Sequence, residues 1–293
     1  MFSGTYTALI TPFKGDESVD EDALRKLVDA QIDGGVDGLV PMGTTGESPT
    51  VSHEENLRVI EIVVDQAKGR VPVIAGTGSN STAEAIQMTS RAKELGANAS
   101  LQVAPYYNKP NQEGFYRHFT AIGDAVDLPM VVYNIPGRTG KNIETDTLMR
   151  LAEHPNIVAV KEASGSIPQM MEVAARKPKD FDLLSGDDNL AFPLVALGGG
   201  GVVSVASNAA PGLVSKMIKL ALDGKLEKAR SEHYRLMPLF KMVFFDTNPI
   251  PIKYAMSLLG YCEEVYRLPL CELEEQTKEK VKSVLTNLEL LEE

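Results

Sequence analysis

The stretch Ile-Val-Ala-Val-Lys-Glu-Ala-Ser at 157–164 sets a lysine, Lys161, at the end of an apolar, β-branched run. Such a run reads as a strand covered on both faces, the kind that builds parallel sheets. A lysine at its end stands at the mouth of whatever the sheet encloses. Lysines in such places commonly run out to solvent on their aliphatic stems. Partial desolvation instead lowers the amine's pKa and frees its nucleophilic neutral form. An amine of that kind forms Schiff bases with carbonyl compounds.

Working outward, strand and helix signals alternate. Strands are expected at 6–10, 38–41, 71–75, 99–103, 130–133, 157–161, 182–185 and 201–205. Helices are expected between them at 20–34, 52–68, 82–95, 112–125, 144–154, 167–175 and 189–196, with one more at 211–222. The helix at 52 opens with a capping box, Ser52 and Glu55. Eight such units fit a (β/α)8 TIM barrel, which takes roughly 250 residues. A doubly wound open sheet is the alternative. It often carries a glycine-rich turn after its first strand, where this chain has Thr11-Pro12-Phe13. Beyond the barrel the strand signals stop. Helices are expected at 226–241, 250–259 and 272–291, with Pro249, Pro251 and Pro269 as breakers. The expected division is a catalytic barrel over 1–224 and a C-terminal helical region over 225–293.

Composition narrows the function. The chain has 293 residues and a net charge of −11, against the basic surface of a nucleic-acid binder. No apolar run reaches a membrane span and the first residues lack a signal peptide, so a cytoplasmic location is expected. The two cysteines, Cys262 and Cys271, are expected as reduced thiols. The four histidines are scattered without metal-ligand spacing, and no metal is expected.

In a TIM barrel the site lies at the C-terminal ends of the strands. There this chain carries Thr44 and Thr45, Tyr106 and Tyr107, Tyr133, Arg138, Lys161, the run Gly186-Asp187-Asp188, and Ser204, Ser207 and Asn208. Each alone reads as a turn residue, a packing aromatic or a surface charge. Together they supply a nucleophilic amine, hydroxyls for proton transfer and a guanidinium for a carboxylate. That set suits condensation of a carbonyl compound.

The segments Gly-Thr-Thr-Gly-Glu-Ser (43–48), Pro-Tyr-Tyr-Asn-Lys-Pro (105–110), Tyr-Asn-Ile-Pro-Gly-Arg-Thr-Gly (133–140), Val-Lys-Glu-Ala-Ser-Gly (160–165) and Thr-Asn-Pro-Ile-Pro-Ile-Lys (247–253) resemble the dihydrodipicolinate synthase family. The resemblance covers essentially the whole chain. It implies a lyase that condenses pyruvate with aspartate semialdehyde on the bacterial route to diaminopimelate and lysine, with no cofactor beyond the covalent imine. By position, Lys161 would form the imine and Tyr133 would act as acid and base. Thr44 would relay protons between Tyr133 and Tyr107, and Tyr107 would come from a neighbouring subunit of a homotetramer. Thr45 would hold the pyruvate carboxylate, Val203 would lie near bound pyruvate, Arg138 would hold the semialdehyde carboxylate, and Gly186 would border the acceptor. An allosteric lysine site would use Ser48, Pro49, His53, Asn56, Asn80, Glu84 and Tyr106. Asn56 stands where many lysine-sensitive members have histidine or glutamate, which predicts weak or moderate inhibition. Sister enzymes, N-acetylneuraminate lyase and the keto-deoxy sugar acid aldolases, share the lysine, the tyrosine and the threonine loop. Tyr106-Tyr107 and Arg138 favour the synthase. A non-catalytic keto-acid-binding paralogue would have lost a relay residue, and none is missing here.

Overall fold

The computed structural model describes residues 2–291. Its eight strands are β1 (Gly4–Ala8), β2 (Gly38–Val40), β3 (Ile74–Gly76), β4 (Ala99–Val103), β5 (Met130–Asn134), β6 (Ile157–Glu162), β7 (Asp182–Ser185) and β8 (Gly201–Ser204). All pair in parallel, in the order β2-β1-β8-β7-β6-β5-β4-β3, and a parallel bridge from Leu39 to Val73 joins the two ends. The sheet is therefore a closed barrel, as the period count predicts. Helices α1 (Glu21–Asp33), α2 (His53–Ala67), α3 (Thr82–Glu94), α4 (Gln112–Ala125), α5 (Pro136–Thr139), α6 (Thr145–Leu151), α7 (Ile167–Arg176), α8 (Asp188–Ala196) and α9 (Pro211–Leu222) surround it. The C-terminal region adds α10 (Leu226–Met242), α11 (Ile250–Leu258) and α12 (Glu275–Asn287).

Side chains of a strand alternate between the faces of the sheet, and here one face fills the barrel. Tyr6, Val40, Ile74, Leu101, Val131, Ala159, Leu184 and Val203 pack inside it. Tyr133 and Lys161 share the parity of Val131 and Ala159, so both point inward, and they are register partners on β5 and β6. Their neighbours Asn134 and Glu162 point outward, where Asn134 Nδ2 donates to Glu162 Oε2 at 3.0 Å. A second layer of core lies between barrel and helices. There Leu9, Phe13, Leu24, Leu239, Ile252 and Val281 join one continuous cluster, so the C-terminal helices share the barrel's core. The capping box of α2 forms as read, with Ser52 and Glu55 bonded reciprocally.

Strand boundaries differ where side chains replace the ladder. β1 starts at Gly4 and ends at Ala8, short of the expected Leu9-Ile10. Asn208 explains this: its Oδ1 accepts the Ile10 N–H at 3.2 Å and its Nδ2 donates to the Ala8 carbonyl at 2.7 Å. One helical turn, α5, follows β5 where the sequence reads only as loop. Pro136 opens it at a position where a missing N–H costs nothing.

His118 on α4 is 6% exposed, its Nε2 has no partner, and burial lowers its pKa to about 4. Between that value and the ordinary 6.5 the unfolded chain binds a proton that the folded chain does not. Stability from this group is therefore full above 6.5 and falls by about 1.4 kcal/mol per pH unit below it, until pH 4. Urea titrations at pH 7 and pH 5 should show His118→Gln losing less stability on acidification than the parent. Equal losses would contradict this.

Candidate active site

β6 delivers Lys161 to the barrel mouth, 5% exposed, with Nζ 4.0 Å from the centroid of the Tyr133 ring. Burial lowers its pKa to about 8, against the negative charges of Asp187 and Asp188, which pull it up. Among the described residues Lys161 forms no ion pair. At neutral pH about a tenth of this amine is neutral, a few hundredfold more than for an ordinary lysine. Burial also raises the Tyr133 phenol above its usual range, opposed by the nearby Arg138 charge and by a hydrogen bond with the Thr44 hydroxyl. Tyr133 thus stays a neutral phenol, able to give and take a proton through Thr44.

Thr44–Gly46 form a single 3₁₀ turn after β2. Thr11 Oγ1 donates to the Gly46 carbonyl at 2.7 Å, and Asn248 Nδ2 donates to Thr45 Oγ1 at 3.1 Å. A Cβ on Gly76 would lie 2.1 Å from the Met42 carbonyl oxygen, so only glycine lets β3 approach the base of this loop. The short helix α5 sets Arg138 at the mouth, where its Nη2 donates to the Asn248 carbonyl at 2.9 Å.

The cavity around Lys161 is lined by Thr44, Thr45, Tyr133, Arg138, Gly186, Asp187 and Asn248, among others. A Cβ on Gly186 would meet Ala163 Cβ at 2.6 Å and Lys161 Cε at 3.1 Å, so this glycine leaves the lysine its room. Burial raises Asp187 to about 6, although the Lys161 charge pulls it down. Asp188 behind it accepts from the Ser204 hydroxyl and from the N–H groups of Val205 and Ala206 at 3.0 Å each, fixing the end of β8. Val203 is buried inside the barrel, and the valines that line the cavity are Val40 and Val205.

A larger cavity of about 390 Å³ adjoins this one through Thr44, Tyr133 and Arg138. Its wall includes Ser48, Pro49, His53, Asn56, Glu84 and Tyr106. His53 Nε2 lies 2.8 Å from Glu84 Oε1, and Asn56 Oδ1 is buried without a partner. Asn80 is not in that wall; its Nδ2 donates to the Tyr106 carbonyl at 3.2 Å. Tyr107 stands away from both cavities, 90% exposed, in the left-handed region at φ 70°. Sequence reasoning gave no role to Asn248 or Glu47 and stopped at the presence of Asp187. The motif holding Asn248 was visible, but its contacts reach about two hundred residues back along the chain.

A buried amine at the C-terminal mouth of a parallel barrel, faced by a phenol and an arginine, is the equipment of a Schiff-base lyase. The family model for the dihydrodipicolinate synthetase family matches residues 1–288, and the chain belongs to that family. It is 50% identical over 290 residues to the 4-hydroxy-tetrahydrodipicolinate synthase of Chlorobium phaeobacteroides, covering 99% of this chain and 98% of that one. The crystal structure of dihydrodipicolinate synthase from Aquifex aeolicus superposes with a TM-score of 0.97 at 47% identity, over 99% of both chains. That of the enzyme from Cyanidioschyzon merolae with lysine bound gives 0.96 at 44%, again over 99% of each.

Because the neutral amine attacks, the rate of pyruvate imine formation should rise with pH and level off above about 8, the value to which burial lowers Lys161. Stopped-flow measurement across pH 6 to 10 checks this. A rise that continues to the ordinary lysine value would show an amine that is not desolvated.

Proposed function

We infer that this protein condenses pyruvate with L-aspartate 4-semialdehyde, through a Schiff base on Lys161, to give 4-hydroxy-tetrahydrodipicolinate on the route to diaminopimelate and lysine. The observation that carries the reading is the unpaired, desolvated Lys161 amine beside the Tyr133–Thr44 pair. The naming of the relatives supports the substrates.

The neutral Lys161 amine adds to the keto carbon of pyruvate, and water leaves as the protonated imine forms. Tyr133 supplies and removes the protons of that exchange. The imine is an electron sink, so a methyl proton departs and an enamine results. Its methylene carbon attacks the aldehyde, and the new alkoxide takes a proton. The amino group of the semialdehyde then displaces the Lys161 amine from the imine carbon, which closes the ring and frees the lysine. Pre-aligned hydroxyls make these transfers fast through geometry. Thr45, held by Asn248, receives the pyruvate carboxylate, with Val203 contributing backbone nearby. Arg138 offers a bidentate partner for the semialdehyde carboxylate, and Gly186 borders that substrate.

Tyr107 serves the relay of a second copy in this reading, within a homotetramer built as a dimer of dimers. Its 90% exposure and its position outside its own cavity support this. Free lysine binds the larger cavity, its cation facing Glu84 and the unpartnered Asn56 Oδ1. A neutral amide holds a charged ligand less strongly than a charged group does, so inhibition is weak to moderate. No helix among the described residues is long and apolar enough to cross a membrane. The biosynthetic reaction inferred above supports a cytoplasmic enzyme.

The test is pyruvate-dependent consumption of aspartate semialdehyde beside N-acetylmannosamine and short sugar aldehydes. The semialdehyde should be strongly preferred, Tyr133→Phe should lower turnover by roughly 10²-fold or more with the fold intact, and lysine should inhibit partially. A preferred sugar aldehyde would move the protein to the sister lyases.

A further inference from the structure

The loop that carries Thr44 and Thr45 follows a costly path. Met42 at φ 58° and Glu47 at φ 57° bracket it, both in the left-handed region that non-glycine residues avoid. Such conformations persist where the surroundings over-determine them. Here the surroundings include an ion pair with no access to water. Glu47 and Lys253 side chains are both 0% exposed, and Lys253 Nζ lies 2.5 Å from Glu47 Oε1. The same ammonium sits 3.9 Å from the centroid of the Phe13 ring, and the Arg267 N–H donates to Glu47 Oε2 at 3.5 Å. Lys253 belongs to α11, outside the barrel strands, and its segment also carries Asn248, which bonds Thr45 and Arg138.

A buried ion pair is a poor way to gain stability, because desolvating two charges offsets their attraction, and an apolar pair of similar volume does as well or better. What an ion pair adds is direction: it fixes where one side chain, and the backbone behind it, must lie. Glu47 lies directly after the turn bearing Thr44 and Thr45, and its N–H donates to the Thr44 carbonyl at 3.1 Å.

We propose that Lys253, acting through Glu47, is a positioning residue for the reaction: the buried pair holds the threonine loop so that the Thr44 hydroxyl meets the Tyr133 phenol and Thr45 meets the pyruvate carboxylate. This rests on the function inferred above. The C-terminal helical region is then part of the catalytic apparatus, although it contributes no reacting group through Lys253.

The experiment compares the full-length parent with Lys253→Met and with the double variant Glu47→Leu/Lys253→Met. Melting temperature, kcat, KM for pyruvate, the solvent deuterium isotope effect and borohydride trapping of pyruvate are read on each. Lys253→Met leaves a lone buried carboxylate and should melt lower, and the double variant should regain most of that loss. Both should still trap pyruvate. Both should turn over at least roughly tenfold slower, with a higher KM for pyruvate and a larger isotope effect, since proton transfer through a displaced Thr44 becomes limiting. Parental kcat in either folded variant would overturn the proposal, because the pair would then serve stability alone. Failure of both variants to fold would overturn it too, by making the pair a folding element. A parent that neither traps pyruvate nor consumes the semialdehyde would refute the functional reading itself, and the positioning role with it.

Discussion

Burying an amine without a counter-ion is the constraint on which this site depends. Among the described residues two lysines are buried, and they are treated in opposite ways. Lys253 is fully enclosed and locked to Glu47 at 2.5 Å, so burial pulls its pKa down while its partner holds the charge in place. Among the described residues Lys161 has no ion pair: it lies against the face of Tyr133 at 4.0 Å with carboxylates beyond ion-pair reach, and burial lowers the amine to about 8. The first arrangement makes a structural cation and the second a nucleophile.

The barrel makes that contrast possible. Tyr133 and Lys161 are register partners at the ends of adjacent strands, and a slip of one residue would turn both out of the barrel and bring Asn134 and Glu162 in. The outward bond between Asn134 and Glu162 ties the same strands at the same level, so the inner pair rests on a fastened outer pair. Gly186 keeps a side chain away from the lysine stem, and Asp188 pins the start of β8's loop through three hydrogen bonds. The threonine loop is the part the strands do not fix. It is held from outside, by Thr11, Asn248 and the Glu47–Lys253 pair.

What could be read in the sequence follows from the range of each interaction. Barrel closure and the position of Lys161 come from local periodicity, and both were legible. The end of β1 was not, because Asn208 takes over its hydrogen bonds from far along the chain. The turn at 136–139 was hidden by its brevity. Among the site residues, Thr44, Thr45, Tyr133, Arg138, Lys161 and Gly186 converge on one cavity, while Val203 lies inside the barrel and Val205 reaches the wall. Asn80 stands outside the larger cavity's wall. Glu47 and Lys253 each look like an ordinary charge in a motif. Only the folded chain makes them one object.

The most direct test is to treat the protein with pyruvate and borohydride and map the modified peptide. With two buried, pKa-lowered lysines present, the account predicts reduction of the adduct at Lys161 alone, with Lys253 untouched and with no adduct in Lys161→Ala. An adduct on Lys253, or one that persists when Lys161 is removed, would contradict the claim that the unpaired buried amine is the nucleophile.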